Sequence, residues 1–525
     1  MSIRCGFVTL SLAAALAAFV LAAAGCSSSN AGAPDGSTGG SPEAGDAGGG
    51  PLPAVTGPIT GGCVGRPFTA APLNLASYGY VEEEYFFEGT ATAYGFVSPP
   101  SADGVWSVHA TTTAPYKTRM LVRHPTDASK FNGTVMVEWL NVTGGVDADP
   151  DFGYAHVELL RSGFAWVGVS AQAAGVIGAG PSILGIGVGV PLVEWDPERY
   201  GSLRHPGDDY SYDIYTQAAR ALRHPGSVDP LGGLTPARFI SDGESQSAFR
   251  LVTYVDAVQP VAQVFDGFFV HSRFGAGALL NGSNDAGVLA LLQGPSPALI
   301  RTDLKVPVFQ FETETDVLGV GSPGFSVSRQ PDTTLLRTWE VAGTAHADQY
   351  LLDYEQAGYA DGGVNGCADA GSGDDAASVN VAGSCGTINE GPEHWVEDTA
   401  VHALNAWATD GGPPVMGAPL TLADGGNAYE RDMYGNALGG VRSPAVDVPI
   451  ATYSGQPPAG ASVICSLFGQ TTPFTAMQLM TLYPTHDAYV SKVTTAATQD
   501  EQAGFLLSVD VPLVEQEAQS AAVPQ

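Results

Sequence analysis

Between residues 134 and 341 the chain repeats a pattern that few folds can satisfy: a short apolar run, a stretch of helical period, then another apolar run. Thr134 to Leu140 (TVMVEWL), Phe164 to Ser170 (FAWVGVS), Ala237 to Ser241, Val264 to His271, Val306 to Phe311 and Thr338 to Val341 are the runs. They are too short for helices and too continuously apolar for strands with one wet face, so they are expected as strands buried on both sides. Tyr154 to Arg161, Tyr210 to Leu222 and Gln246 to Val258 lie among them as helices. Such alternation predicts the α/β class, a mostly parallel sheet flanked by helices. A sheet of this kind carries its site at the carboxyl ends of the strands. From 80 to 124 the rhythm differs. Tyr85 to Tyr94, Val105 to Thr112 and Thr118 to Val122 mix aromatic and β-branched residues, with Pro99, Pro100 and Pro115 between them, and are expected as antiparallel strands.

The N-terminus reads as an export signal. Arg4 stands before an apolar run, Phe7 to Ala24, that ends at Gly25-Cys26, the pattern of a signal peptide over residues 1–25. The small residues ahead of Cys26 resemble the lipobox of bacterial lipoproteins, with Ala23 where leucine is usual. That resemblance implies cleavage before Cys26 and lipid attachment to it. The run is also near the lower length of a membrane span, so a retained anchor is the alternative. Residues 26–56 are nearly all Ser, Gly, Ala, Pro, Asp and Asn and read as a flexible linker. This leaves 57–525 as one folded domain, lipid-anchored in the cell envelope outside the cytoplasm. Cys63, Cys367, Cys385 and Cys465 remain beyond the leader, an even number that suits two disulfides in an oxidising compartment. Three pairings are open; Cys367 with Cys385 would close a short loop, and Cys63 with Cys465 would then tie the two ends together.

Charge narrows the partners. The chain has 54 acidic and 21 basic side chains, a formal charge of −33, and its lysines are only Lys117, Lys130, Lys305 and Lys492. Nucleic acid is excluded, because neutralising phosphates takes a Lys/Arg surface. Membrane contact is expected only through the N-terminal lipid.

Ser245 is the candidate nucleophile. It sits in Gly243-Glu244-Ser245-Gln246-Ser247, between the strand ARFIS and the helix QSAFRLVTYV. A serine on a sharp strand-to-helix turn is held clear of its neighbours, and small residues two positions away on each side permit the tight backbone. Here Ser247 replaces the usual second glycine. Gly324-Phe325-Ser326-Val327-Ser328 has the same spacing but neither a strand before it nor a helix after it, so context rejects it. A serine hydroxyl needs a base, and the base needs an orienting acid. The strand Val306 to Phe311 leads into Glu312-Thr313-Glu314-Thr315-Asp316, and Leu336 to Val341 leads into Ala342-Gly343-Thr344-Ala345-His346. His346 is the candidate base; Asp316 is the candidate acid, with Glu314 as its rival. The solvated-loop reading of these carboxylates stands beside it.

The segments GYVEEEYFFEGTATAY, VEWLNVTGG, WDPERYGSL, DDYSYDIYTQAARAL, GESQSA, ETETDV, GTAHAD and SLFGQTTPF together resemble the α/β-hydrolase domain family, a bacterial branch of the α/β-hydrolase superfamily, over about residues 75–510. The resemblance implies a central sheet of about eight strands and a Ser-Asp-His triad, which falls here on Ser245, Asp316 and His346. In many superfamily members the acid follows a strand-opening proline by nine residues, and counting from Pro307 gives Asp316. Oxyanion-hole N–H donors are expected at Gln246, directly after the nucleophile, and at Asn141 or Val142 in the loop Asn141-Val142-Thr143-Gly144-Gly145. Inserts at 171–208, 272–300 and 350–393, with the long C-terminal extension, are expected to shape substrate access. The expected activity is hydrolysis of a small-molecule carboxylic ester through an acyl-enzyme. A peptidase or amidase with the same triad, and a noncatalytic surface binding protein, are the alternatives. No HExxH or paired CxxC pattern occurs, nor a GxGxxG after a strand, nor a phosphate-loop GxxxxGK(S/T), so neither metal nor cofactor is expected.

Overall fold

The apolar runs become strands with scarcely an exposed position, as strands covered on both faces must be. The computed structural model describes residues 52–178, 190–281, 294–320, 323–359, 366–368, 385–409 and 411–523. The leader, Cys26 and most of the linker lie outside these residues. Nine strands form one sheet in the order β1-β2-β3-β5-β4-β6-β7-β8-β9. They are β1 (Ala54–Thr56), β2 (Tyr80–Phe96), β3 (Val108–Pro125), β4 (Thr134–Trp139), β5 (Ala165–Val169), β6 (Arg238–Glu244), β7 (Gly267–His271), β8 (Val308–Thr313) and β9 (Leu336–Val341). Pairing is parallel from β5 through β9 and antiparallel among β1, β2, β3 and β5. The strand beyond the expected eight is β1, which pairs with Phe86, Phe87 and Glu88, so the sheet begins inside the segment read as linker.

One sequence expectation is corrected in the hairpin. Val108 to Thr112 and Thr118 to Val122 are parts of a single strand, β3, that runs through Pro115, and Val105 to Ser107 lie before it. β5 meets β3 only at Met120 to Arg123. Pro115 therefore lies where β3 is paired on the β2 side alone, and a residue without an N–H is tolerated at such an edge.

Two apolar layers hold the sheet. On β4, Val135, Val137 and Trp139 join the layer containing helix α2 (Ser211–Arg223) through Tyr212, Tyr215 and Ala218. Met136 points the other way, with α1 (Pro150–Arg161) through Phe152 and Leu159. This is the two-residue period of a pleated strand. Helix α3 (Gln246–Thr253) follows β6 and continues as a π-helical turn at Tyr254–Val258.

Buried ion pairs explain the acidic motif on β2. Glu84 binds Arg119 at 3.1 Å and Arg199 at 2.6 Å, and Glu82 binds Arg123 at 2.8 Å. Arg119 and Arg123 reach on to Asp147 and Asp149 at 3.0 and 2.6 Å. Removing one partner from such a pair costs about 3–5 kcal/mol. Through Arg199 and the Tyr200 hydroxyl, 2.8 Å from Glu84, the described part of insert 171–208 is fixed to β2. There Leu192, Trp195 and Tyr200 pack with Phe68 and Phe86.

The disulfides are Cys63–Cys367 and Cys385–Cys465, not the short-loop pairing that sequence proximity suggests. Tertiary placement decides this. Val64 N–H donates to Asp196 at 3.2 Å, and Gly366 lies against Trp195 so closely that a Cβ there would meet its carbonyl. Both halves of the first bridge thus converge on one segment. Near the second, Asn389 N–H donates to the Phe468 carbonyl at 2.8 Å. The second bridge spans 80 residues, a loop whose closure is worth about 4–5 kcal/mol in the chain-entropy model. Cys385→Ser is expected to lower the thermal midpoint by several degrees in oxidising buffer and to lose the drop that wild type shows on reduction at this bridge; calorimetry checks it. Among the described residues no helix is long and apolar enough to cross a membrane.

Candidate active site

β6 delivers Ser245 into a turn that L-residues rarely occupy. Its φ is 56° and its ψ −118°, a conformation that costs about 1–3 kcal/mol and persists only where surroundings impose it. They do: Ser245 N–H donates to the His271 carbonyl at 3.0 Å, and α3 begins at the next residue. A Cβ at Gly243 would stand 3.0 Å from that of Ser247, so both flanking positions must be small. Ser247, the departure from the usual glycine, is fully buried in that contact.

The other two candidates come from the ends of β8 and β9. His346 Nε2 lies 2.7 Å from Ser245 Oγ, and its Nδ1 lies 2.6 Å from Asp316 Oδ1. Asp316 is in the first turn of α4 (Glu314–Leu318). Its Oδ2 accepts hydrogen bonds from Ser272 Oγ at 2.7 Å, Thr313 N–H at 2.8 Å and Thr313 Oγ1 at 2.6 Å. Burial alone would raise this carboxyl, but the His346 charge and these bonds outweigh it and hold it below the ordinary range. Burial likewise opposes charging His346, yet Asp316 and then Glu244 raise its imidazole above the usual value. The rival Glu314 faces elsewhere. Its oxygens accept from Gly343 N–H at 2.8 Å and Gly455 N–H at 3.1 Å, so it braces the loop that carries His346.

Of the expected oxyanion donors, Asn141 is corrected. Its N–H donates to the Ala148 carbonyl at 2.9 Å and is committed there. Its side chain instead donates to the Glu244 carbonyl at 3.1 Å and carboxylate at 2.9 Å, tying its loop to the turn that carries Ser245. Val142 N–H has no partner among the described residues. Gln246 N–H is in the first turn of α3, where helices leave N–H groups unpaired.

Four contributors escaped the sequence reading. Ser272 and Thr313 clamp Asp316. Phe274 packs its ring 5.3 Å from that of His346 and 5.8 Å from Phe249. Glu244 approaches His346 Nε2 to 3.4 Å; burial pushes its carboxyl up to about 8, against the pull of His346 and His271. Glu244 ends β6 and Ser272 follows the last residue of β7, the one signal that pointed to them. Of the 272–300 insert, residues 282–293 lie outside the described residues, as do 360–365 and 369–384 of 350–393.

Comparison with protein families matches residues 55–515 to a family described as "Alpha/beta hydrolase domain". The chain belongs to this α/β-hydrolase family. The nine-stranded, mostly parallel sheet and its flanking helices are the architecture of such a hydrolase. No curated protein matches the chain. Among solved structures, the esterase Est22 is similar with 16% identity, coverage of 45% of this chain and 65% of that chain, and a TM-score of 0.26. A carboxylesterase, Cest-2923 from Lactobacillus plantarum, shares 11% identity over 45% of this chain and 75% of its own, with a TM-score of 0.25. XC6422 from Xanthomonas campestris, described as an α/β serine hydrolase without lid, shares 10% over 48% and 83%, with a TM-score of 0.24. The α/β-hydrolase chain thus spans less than two thirds of Est22, and each is a distant likeness.

Proposed function

We propose that this α/β-hydrolase is an exported serine hydrolase that cleaves carboxylic esters. The observation that carries the reading is the unbroken line of short contacts from Ser245 Oγ through His346 to Asp316, 2.7 and 2.6 Å. Nε2 takes the hydroxyl proton as Oγ attacks the carbonyl carbon, and Nδ1–H stays bonded to Asp316, which fixes the tautomer and steadies the imidazolium. The protonated Nε2 then gives its proton to the departing alkoxide, leaving an acyl-serine. Water repeats the sequence, deprotonated by the same nitrogen, and frees the acid. Gln246 and Val142 N–H groups are the donors proposed for the oxyanion; each such donor is worth about 10²- to 10³-fold in turnover.

Phe274 packs against the imidazole and belongs to an apolar cluster with Phe249, Ala276 and Ala278, with Val320 and Leu467 partly buried beside them, which favours an apolar group on the substrate. The leader with Cys26 and two disulfides support a lipid-anchored position in the cell envelope. A fluorophosphonate probe tests the chemistry. The full chain is expected to be labelled at Ser245, and chromogenic esters of graded acyl length are expected to turn over faster than the matched anilides. An unlabelled, folded wild type would replace this reading with a noncatalytic binding protein on the same scaffold.

A further inference from the structure

Behind the nucleophile turn, β7 ends in His271, whose ring is surrounded by acid. Nδ1 lies 2.8 Å from Asp151 Oδ1 and 3.8 Å from Glu397 Oε1, while Nε2 lies 3.2 Å from Glu393 Oε1. Asp151 comes from the first turn of α1. Glu393 and Glu397 stand one turn apart at the start of a long helix, Glu393–Thr409. His271, Glu393 and Glu397 are wholly buried and Asp151 is 3% exposed. Three carboxylates thus face one imidazole, and among the described residues no Arg or Lys pairs with any of them.

The second observation is unpaired oxygen. Both oxygens of Glu397, Oδ2 of Asp151 and Oε2 of Glu393 have no hydrogen-bond partner, and neither has the buried Tyr154 hydroxyl, whose ring is 5.6 Å from that of His271. An ionised carboxylate removed from water costs several kcal/mol unless a counter-charge meets it. Glu397 therefore aims two buried oxygens without a hydrogen-bond partner into the cluster.

We propose that Asp151, His271 and Glu397 form a buried binding site for one divalent transition-metal ion, with Glu393 holding the imidazole from its far side. Their ligand atoms lie within 4.8 Å of one another. Donors bound at about 2.1 Å around a tetrahedral ion stand about 3.4 Å apart, and the contacts of 2.8 and 3.8 Å bracket that spacing. With Nε2–H donating to Glu393, Nδ1 keeps its lone pair for the ion, the carboxylate-histidine-metal arrangement that fixes ring orientation. One imidazole nitrogen with carboxylate oxygens suits Zn²⁺ or Mn²⁺ better than Ca²⁺ or Mg²⁺, which prefer oxygen alone. The ligands are 120 or more residues apart along the chain, so no compact motif marked them.

The ion touches no reacting atom. Its role is structural: the His271 carbonyl accepts the Ser245 N–H, and Ser272 donates to Asp316, so a fixed strand end positions both. The inference does not depend on the ester reading, because its test is metal content. The purified full chain, dialysed against metal-free buffer, is expected to hold about one Zn²⁺ or Mn²⁺ per chain by mass spectrometry. Stripping with chelator should lower the thermal midpoint, and adding Zn²⁺ or Mn²⁺ should restore it. Glu397→Gln, checked for folding by circular dichroism, should lose both the ion and the restoration, and Glu393→Gln should weaken binding about 10- to 100-fold. Wild type that carries no ion and shows no shift with either metal overturns the proposal. So does folded Glu397→Gln that still binds one equivalent.

Discussion

Ser245→Ala is expected to reduce ester turnover by about 10⁴- to 10⁶-fold, the range found when a triad nucleophile is removed. The loss should fall on kcat, with KM little changed, because the hydroxyl's contact is with His346 Nε2. Thermal stability should barely move, since alanine meets the same backbone penalty at φ 56°. Ser245→Gly makes a sharper companion. It should be as inactive but more stable, by about 1 kcal/mol, because glycine occupies that conformation without the Cβ clash. Steady-state kinetics on a chromogenic ester, with calorimetry, reads both. A serine-free variant retaining a hundredth of wild-type kcat would remove Ser245 from the mechanism.

Asp316→Asn should cost about 10⁴-fold in kcat, since an amide can donate to Nδ1 and so favour the wrong tautomer. Its pH dependence separates this from a general loss of structure. The base works only when neutral, so activity falls as pH drops through the His346 pKa. Asp316 and Glu244 raise that pKa against burial, so the acid limb in wild type should sit above the ordinary histidine value. Replacing Asp316 removes the larger counter-charge; burial and the neighbouring His271 then pull the other way, and the residual limb should move to lower pH. Glu314→Gln is the contrast. It perturbs two N–H contacts at Gly343 and Gly455 and should cost stability more than kcat. A larger kcat loss from the Glu314 change would reverse the two assignments.

Local pattern made the parallel strands and the turn carrying Ser245 legible, because two-sided burial and a strand-turn-helix are written in adjacent residues. The proposed acid and base were reached through spacing after strands β8 and β9, and the structure sets Asp316, not Glu314, against His346. What sequence did not convey depends on partners far along the chain. Pro115 reads as a break until β5 is seen to end before it. The Asn141 N–H looks available until Ala148 folds back to take it. The cysteines pair according to which loops meet at Trp195 and Phe468, not according to nearness in sequence. His271 carries no motif because its acids come from two distant helices.

The Cys385–Cys465 bridge has a bearing on where the chain is competent. Ala347, the residue after His346, donates its N–H to the Leu467 carbonyl, two positions beyond Cys465, and the bridge pins that strap from the other side. With the bridge reduced, the His346 imidazole is expected to rest on a looser mount.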